Sequence, residues 1–228
     1  GELRRFSRGD TDFAGAVVAL GALGVVIEMT LDLVPRFEMC QDVFHALPFE
    51  RVADNFEALM GSAYSVSLFS QWTGGVVDQA WVKRLAGATP PAADFFGGRP
   101  APADCSPVMG RDALGTTAQM GVPGPWYDRL PHARIGALAQ VGTEVQSEYF
   151  LPRADAAAAL RAIKAVQGTL QPVLVVSEVR TVAEDELWLS MNYRQDSVAF
   201  HFSWVRAWPA VEATLRVLEE ALAPFSPR

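Results

Sequence analysis

Glu178 and Arg180 close a run that otherwise reads as buried core. Residues 173–176 are Val-Leu-Val-Val, and the two charged residues follow with no turn residue between. Side chains two apart on a strand share a face, so Leu174, Val176, Glu178 and Arg180 are expected in one row with the charged pair at its end. A later run, "DSVAFHFSWV", alternates Val198, Phe200, Phe202 and Trp204 against Ser197, Ala199, His201 and Ser203. Paired as a hairpin, the two runs bring Glu178, Arg180, His201 and Ser203 to one face. A third run at 141–151 adds the row Glu144, Gln146 and Glu148. A carboxylate accepts hydrogen bonds from paired hydroxyls, while guanidinium and imidazole donate to oxygen, so this mixture suits a hydroxyl-rich ligand.

The same residues also admit plainer readings. A sheet face turned to water is ordinarily polar, which accounts for Glu144, Gln146 and Glu148 without a ligand. Glu178 and Arg180 are equally compatible with a surface ion pair worth about 0–1 kcal/mol. His201, between two phenylalanines, also reads as a core histidine, and His45 and His132, with no partner at useful spacing, read as structural.

The elements that must hold these side chains follow a repeated order. "FEMCQDVFH" alternates as a strand, "PFERVADNFEALMG" has helical apolar spacing, and "YSVSLFSQW" and "DQAWVKRL" are two further strands. The order recurs as strand "VGTEVQSEYFLP", amphipathic helix "RADAAAALRAIKAVQ" stopped at Gly168, and strands "PVLVVSEVR" and "DSVAFHFSWV". A duplicated βαββ unit predicts an α+β fold, with one large, mostly antiparallel sheet and helices on a single face. A last helix, "PAVEATLRVLEEALA", with Pro209 in its first turn, closes the chain. Residues 86–136, rich in Gly, Pro and Ala, carry no periodicity and are expected as a surface excursion, mobile or laid over a neighbouring domain. The first 36 residues stand outside the pattern and read as helix, glycine turn and strand, the edge of some other domain.

Composition narrows the function. The chain has 228 residues, half of them hydrophobic, and a formal net charge of −7, which argues against nucleic acid or an anionic membrane as the main partner. Cys40 and Cys105 stand far apart with no ligand spacing, so no metal or disulfide framework is expected and a cytoplasmic setting fits. Residues 13–34 are apolar enough to raise the question of a membrane span, but three glycines and Glu28 interrupt them. No nucleotide-binding, nucleophile-elbow or zinc-protease motif is present, and "GALG" at 21–24 is too short to count as one.

Four segments together, "ALGALGVVIEMTLDLVP", "SEYFLPRADAAAALRAI", "VSEVRT" and "SVAFHFSW", resemble the alditol (xylitol) oxidases. These are flavoproteins of the vanillyl-alcohol-oxidase type, related to the sugar-lactone oxidases, and the resemblance runs from about residue 13 to the end. It implies a cap domain over 37–228 and, over 1–36, the tail of an FAD-binding domain. It assigns Glu178, Arg180 and Ser203 to substrate binding and His201 to the wall beside the substrate, with Arg180 and His201 the catalytic pair. Gly24, Val25 and Val26 would approach the FAD cofactor. The implied reaction is oxidation of the primary hydroxyl of a xylitol- or sorbitol-type polyol to an aldose, with O2 reduced to hydrogen peroxide.

The family's flavin-attaching histidine, its phosphate loops and its C-terminal His-Trp-Gly-Lys segment have no counterpart in these residues. The chain is therefore expected to be inactive without the rest of an FAD domain. A D-arabinono-1,4-lactone type of oxidase would share the cap and the cofactor. A non-catalytic sugar- or protein-binding module would leave Glu178 and Arg180 as a plain ion pair.

Overall fold

A computed structural model of the chain describes residues 1–134, 136 and 144–228. In chain order the elements are helix α1 (Phe13–Val17), strand β1 (Glu38–Pro48), helices α2 (Phe49–Asp54) and α3 (Phe56–Met60), and strands β2 (Ser65–Ser70) and β3 (Val76–Leu85). The two-residue strands β4 (Arg99–Pro100) and β5 (Gly124–Pro125) follow. Then come β6 (Val145–Pro152), α4 (Ala156–Ala165), α5 (Gln167–Leu170), β7 (Leu174–Val182), β8 (Ser197–Trp204) and α6 (Trp208–Leu222). Positions 141–143, where the sequence predicts β6 to begin, lie outside the described residues.

All the strands join one sheet in the order β4-β1-β3-β2-β7-β8-β6, with β5 also paired to β1, and every pairing is antiparallel. The two βαββ units are each folded alike, β1-β3-β2 on one side and β6-β8-β7 on the other. They meet where β2 and β7 pair Leu68 with Val179. This is the expected α+β architecture, with the helices on one face.

That face carries the core. Alternate strand residues Phe44, Leu68, Val82, Val198, Phe200 and Phe202 pack against Val52, Leu59, Leu160, Ile163 and Leu218 from the helices. Nearly all of them are withdrawn from water, and each fully buried Leu or Phe contributes about 1.5–3 kcal/mol. The long first helix of the sequence reading is in fact two. Asn55, at φ −118° and ψ 23°, leaves the helical region, and its side-chain amide donates to the Arg51 carbonyl at 2.8 Å. In the second unit the break comes at Val166, and Gly168 lies inside the short α5.

The excursion corrects the sequence expectation. Residues 101–134 do not extend away but lie across the second face of the same sheet. Ala101 N–H donates to the Val43 carbonyl at 2.8 Å and Gly121 N–H to that of Gln41 at 2.9 Å. Beneath them Val43, Phe69, Trp81, Ala101 and Val176 form a second apolar cluster. Half of the face that the sequence left open is therefore covered.

The predicted strand within residues 13–34 is not formed. Past α1, residues 25–34 hold no regular structure and their apolar side chains are exposed, because a strand needs a hydrogen-bonding neighbour and none lies beside it among the described residues. The helix itself docks on the turn before β8. Trp188 N–H donates to the Ala14 carbonyl at 3.1 Å, and a Cβ at Gly15 would stand 2.5 Å from the Trp188 ring, so only glycine permits that approach. No helix among the described residues is long and apolar enough to cross a membrane.

Candidate functional site

Register decides which polar side chains meet. Strand β7 pairs with β8 so that Glu178 stands opposite His201, Arg180 opposite Ala199, and Val176 opposite Ser203. On its other side β8 pairs with β6, placing Glu148 opposite His201 and Gln146 opposite Ser203. One row, Glu178–His201–Glu148, thus crosses three strands, with Ser203 one step along and Arg180 one step the other way. The predicted substrate-binding residues Glu178, Arg180 and Ser203 and the predicted catalytic residue His201 share one face.

Leu174 does not share it. The register slips between Leu174 and Val176, where the pairing passes from Trp204 to Ser203. A β-bulge inserts one unpaired residue, so Leu174 turns to the helix face and packs with the main core while Val175 and Val176 stay on the other side. The predicted row is therefore Val176, Glu178 and Arg180.

Glu178 is no simple surface partner. It is only 8 % exposed, and its two oxygens have separate contacts. Oε2 lies 3.5 Å from Arg180 Nη1, a long contact, while Arg180 Nη2 makes its close bond to Glu148 Oε1. Oε1 accepts from His132 Nε2 at 3.0 Å. Burial alone would raise the Glu178 carboxyl. His132, chiefly through its hydrogen bond, then the Arg180 guanidinium and the Ser67 hydroxyl, outweigh it and hold the carboxyl down at about 2. Glu178 is an ionised, buried acceptor at neutral pH.

His132, read from sequence as structural, is a member of this site. The excursion carries it onto the sheet, edge-on to Phe69 at 5.1 Å and to Trp81 at 5.3 Å between ring centroids. Its Nδ1 faces Lys83 Nζ at 3.1 Å, and Lys83 also donates to the Leu130 carbonyl. Lys83 is 1 % exposed, and burial pulls its ammonium down to about 8 against the opposing pull of Glu178. Burial likewise lowers His132. Lys83 shares the row Gln79, Trp81, Lys83 on β3, a sequence signal in itself. Linking that row to Glu178 requires the β3–β2–β7 register, which no local pattern supplies.

His201 is lowered by burial, with Glu148 and Glu178 pulling the other way, so it presents a neutral imidazole at neutral pH. Of the remaining acidic row, Glu144 accepts from Arg111 at 2.9 Å, and Gln146 is exposed as a wetted face should be. His45 and Cys105 approach at 3.5 Å, Nε2 to Sγ, but they do not make a nucleophilic pair. Burial and Asp104 push the thiol up to about 11 and burial lowers the imidazole, so neither becomes charged near neutrality.

Gly24, Val25 and Val26 lie apart from this cluster. Val25 and Val26 are exposed, and Gly24 adopts φ +143°, a conformation that favours glycine, with nothing within 4 Å of where a Cβ would stand. The backbone there is open on the side where a Cβ would stand, and the β7–β8 face offers hydrogen-bond donors and acceptors. Among the described residues no group of three or more His, Cys, Asp or Glu side chains stands together as a metal site.

No family model matches the chain. It is 47 % identical over 224 residues to the alditol oxidase of Streptomyces sp. (strain IKD472 / FERM P-14339), a match that takes in 98 % of the chain and 53 % of that protein. The chain thus spans about half the length of the relative it matches, and the strands bearing Glu178, Arg180, His201 and Ser203 fall inside that span. Over the half of alditol oxidase that it covers, this is an alditol-oxidase-like chain.

Proposed function

We propose that residues 37–228 are the cap of an FAD-dependent alditol oxidase, with residues 1–36 belonging to its FAD-binding domain, and that the face of β7 and β8 is the substrate half of the active site. The reaction is oxidation of the primary hydroxyl of a xylitol- or sorbitol-type polyol to an aldose. The observation that carries this reading is the pairing of Glu178 with His201, which sets an ionised acceptor, a neutral imidazole and the Arg180 guanidinium on one half-open face. The likeness to an alditol oxidase supplies the substrate class.

Each residue then has work suited to its state. The Arg180 guanidinium stabilises the alkoxide that develops as the reacting hydroxyl loses its proton. Glu178 accepts from neighbouring hydroxyls and so orients the reacting carbon. His201, neutral at rest, can hold the departing proton, and Ser203 offers a further hydroxyl contact. FAD, held against the backbone near Gly24, Val25 and Val26, would take up the hydride and pass the electrons to O2.

The test is peroxide release by the flavin-loaded full-length protein. Xylitol and sorbitol should be turned over in preference to a sugar 1,4-lactone, and Arg180→Ala should lower turnover on the order of 10²–10³-fold, the scale of removing one group that stabilises an oxyanion. A preference for the lactone would replace the polyol reading, and full turnover in Arg180→Ala would remove that residue from the chemistry. Failure of the purified protein to take up FAD would defeat the oxidase reading altogether.

A further inference from the structure

The chain from Lys83 through His132 to Glu178 has buried ends joined by an imidazole that is 27 % exposed, and it is directional and unexplained by substrate contact alone. Lys83 carries its ammonium at neutral pH and has donors only, so the nitrogen it faces, His132 Nδ1, must accept. A neutral imidazole that accepts at Nδ1 holds its proton on Nε2. That N–H points at Glu178 Oε1 at 3.0 Å, with Ser67 Oγ at 3.4 Å as a second neighbour. Phe69 and Trp81 stand edge-on to the imidazole, so the ring has little room to turn. Oε1 is thereby committed, and only Oε2 faces Arg180 and the open part of the face.

We propose that His132, brought onto the sheet by the 101–134 excursion and set in one tautomer by Lys83, is a positioning residue that fixes the Glu178 carboxylate so that Oε2 meets a substrate hydroxyl. The proposal rests on the polyol reading of this face. His132 touches no substrate. Its contribution is to selectivity, because an oriented carboxylate rewards a substrate with a second hydroxyl beside the reacting one, while a carboxylate free to rotate rewards it less. The ligand feature recognised is a vicinal diol.

The experiment compares kcat/KM for 1,2-butanediol and 1-butanol in the flavin-loaded full-length protein and in two variants, His132→Asn and His132→Gln. The amide of Gln reaches the place of Nε2 and can donate to Glu178, whereas that of Asn ends near the place of Nδ1 and cannot. The diol preference of the wild type should fall on the order of tenfold or more in His132→Asn, the loss expected for one hydrogen bond to a charged group. It should be largely retained in His132→Gln. A residue that only supports the fold would depress both substrates alike and leave their ratio unmoved, so an unchanged ratio in His132→Asn overturns the proposal. If His132→Asn does not fold, His132→Gln decides, since a folded Gln variant without diol preference also overturns it. A wild type with no diol preference overturns the polyol reading beneath it, an outcome visible before any variant is made.

Discussion

Replacing Lys83 by Met should change how stability depends on pH, by an amount the structure sets. The Lys83 ammonium titrates at about 8 in the folded chain against an ordinary 10.5, chiefly because it is buried. At 1.36 kcal/mol per pH unit this difference is worth about 3 kcal/mol. The sign follows from which state holds the proton. Between 8 and 10.5 the unfolded chain keeps its proton on Lys83 while the folded chain has released it, so stability rises with pH across that window. The cost of burying the charge is borne in full below about pH 8 and is relieved above it. Lys83→Met has no such proton to lose. In urea unfolding of both chains, the stability of wild type relative to variant should be flat up to about pH 8 and then climb by about 1.4 kcal/mol per unit to about pH 10. Contributions from Cys105 and Tyr149, pushed by burial to about 11 and about 12, are common to both chains and cancel in the difference. Parallel profiles would refute the reasoning, because they would mean that Lys83 titrates normally and is not held as a buried ammonium behind His132.

Glu178→Gln should remove an acid-side dependence of similar size. The Glu178 carboxyl, held at about 2 against an ordinary 4.5, contributes about 3 kcal/mol that is present above pH 4.5 and lost as pH falls toward 2. Acid unfolding of wild type minus variant should show that slope, and a difference that stays level across the window would contradict the ionised, hydrogen-bonded carboxylate. At Cys105 the expectation is inertness. With its thiol at about 11 rather than 9.0, alkylation by iodoacetamide near pH 8 should run on the order of 100-fold slower than for a free cysteine, and a rate equal to free cysteine would show the thiol to be activated instead.

The strands and the main core were legible because burial on one face imposes alternation. In β8 the apolar residues Val198, Phe200, Phe202 and Trp204 sit against the helices and the other row turns to the site, as a period of two requires. The same rule misplaced Leu174, since a bulge changes the count by one residue and leaves no mark in the pattern. The helix break at Asn55 is a contest between a side-chain amide and the backbone that propensity alone does not settle. The excursion was illegible for a different reason. Its order comes from long-range bonds, such as Gln41 Nε2 to Thr117 Oγ1 at 3.2 Å and Gln79 Nε2 to the Ser106 carbonyl at 3.0 Å, and no local period encodes them. His132 came with it, so half of the Glu178 environment lay in a segment with no readable structure.

The duplication explains why a carboxylate can be both buried and available at this position. The two βαββ units present equivalent faces opposite the helices, and among the described residues it is the first that is roofed. There the excursion lies over the apolar cluster of Val43, Phe69 and Trp81, while the face of β8 and β6 keeps His201 and Glu148 partly exposed. Strand β7 is the first strand past the seam, paired to β2 of the roofed unit on one side and to β8 of the open unit on the other. A side chain on β7 therefore takes one set of contacts from each half. Glu178 Oε1 receives its hydrogen bond from under the roof and Oε2 faces the open half. A carboxylate one strand further into the roofed half would be sealed from any ligand. Two strands further into the open half, on β6, Glu148 meets no side chain of the excursion among the described residues and is held by its bond to Arg180. On the proposed reading, the seam between the repeats is where Glu178 is oriented by the fold through Oε1 and would meet a hydroxyl through Oε2.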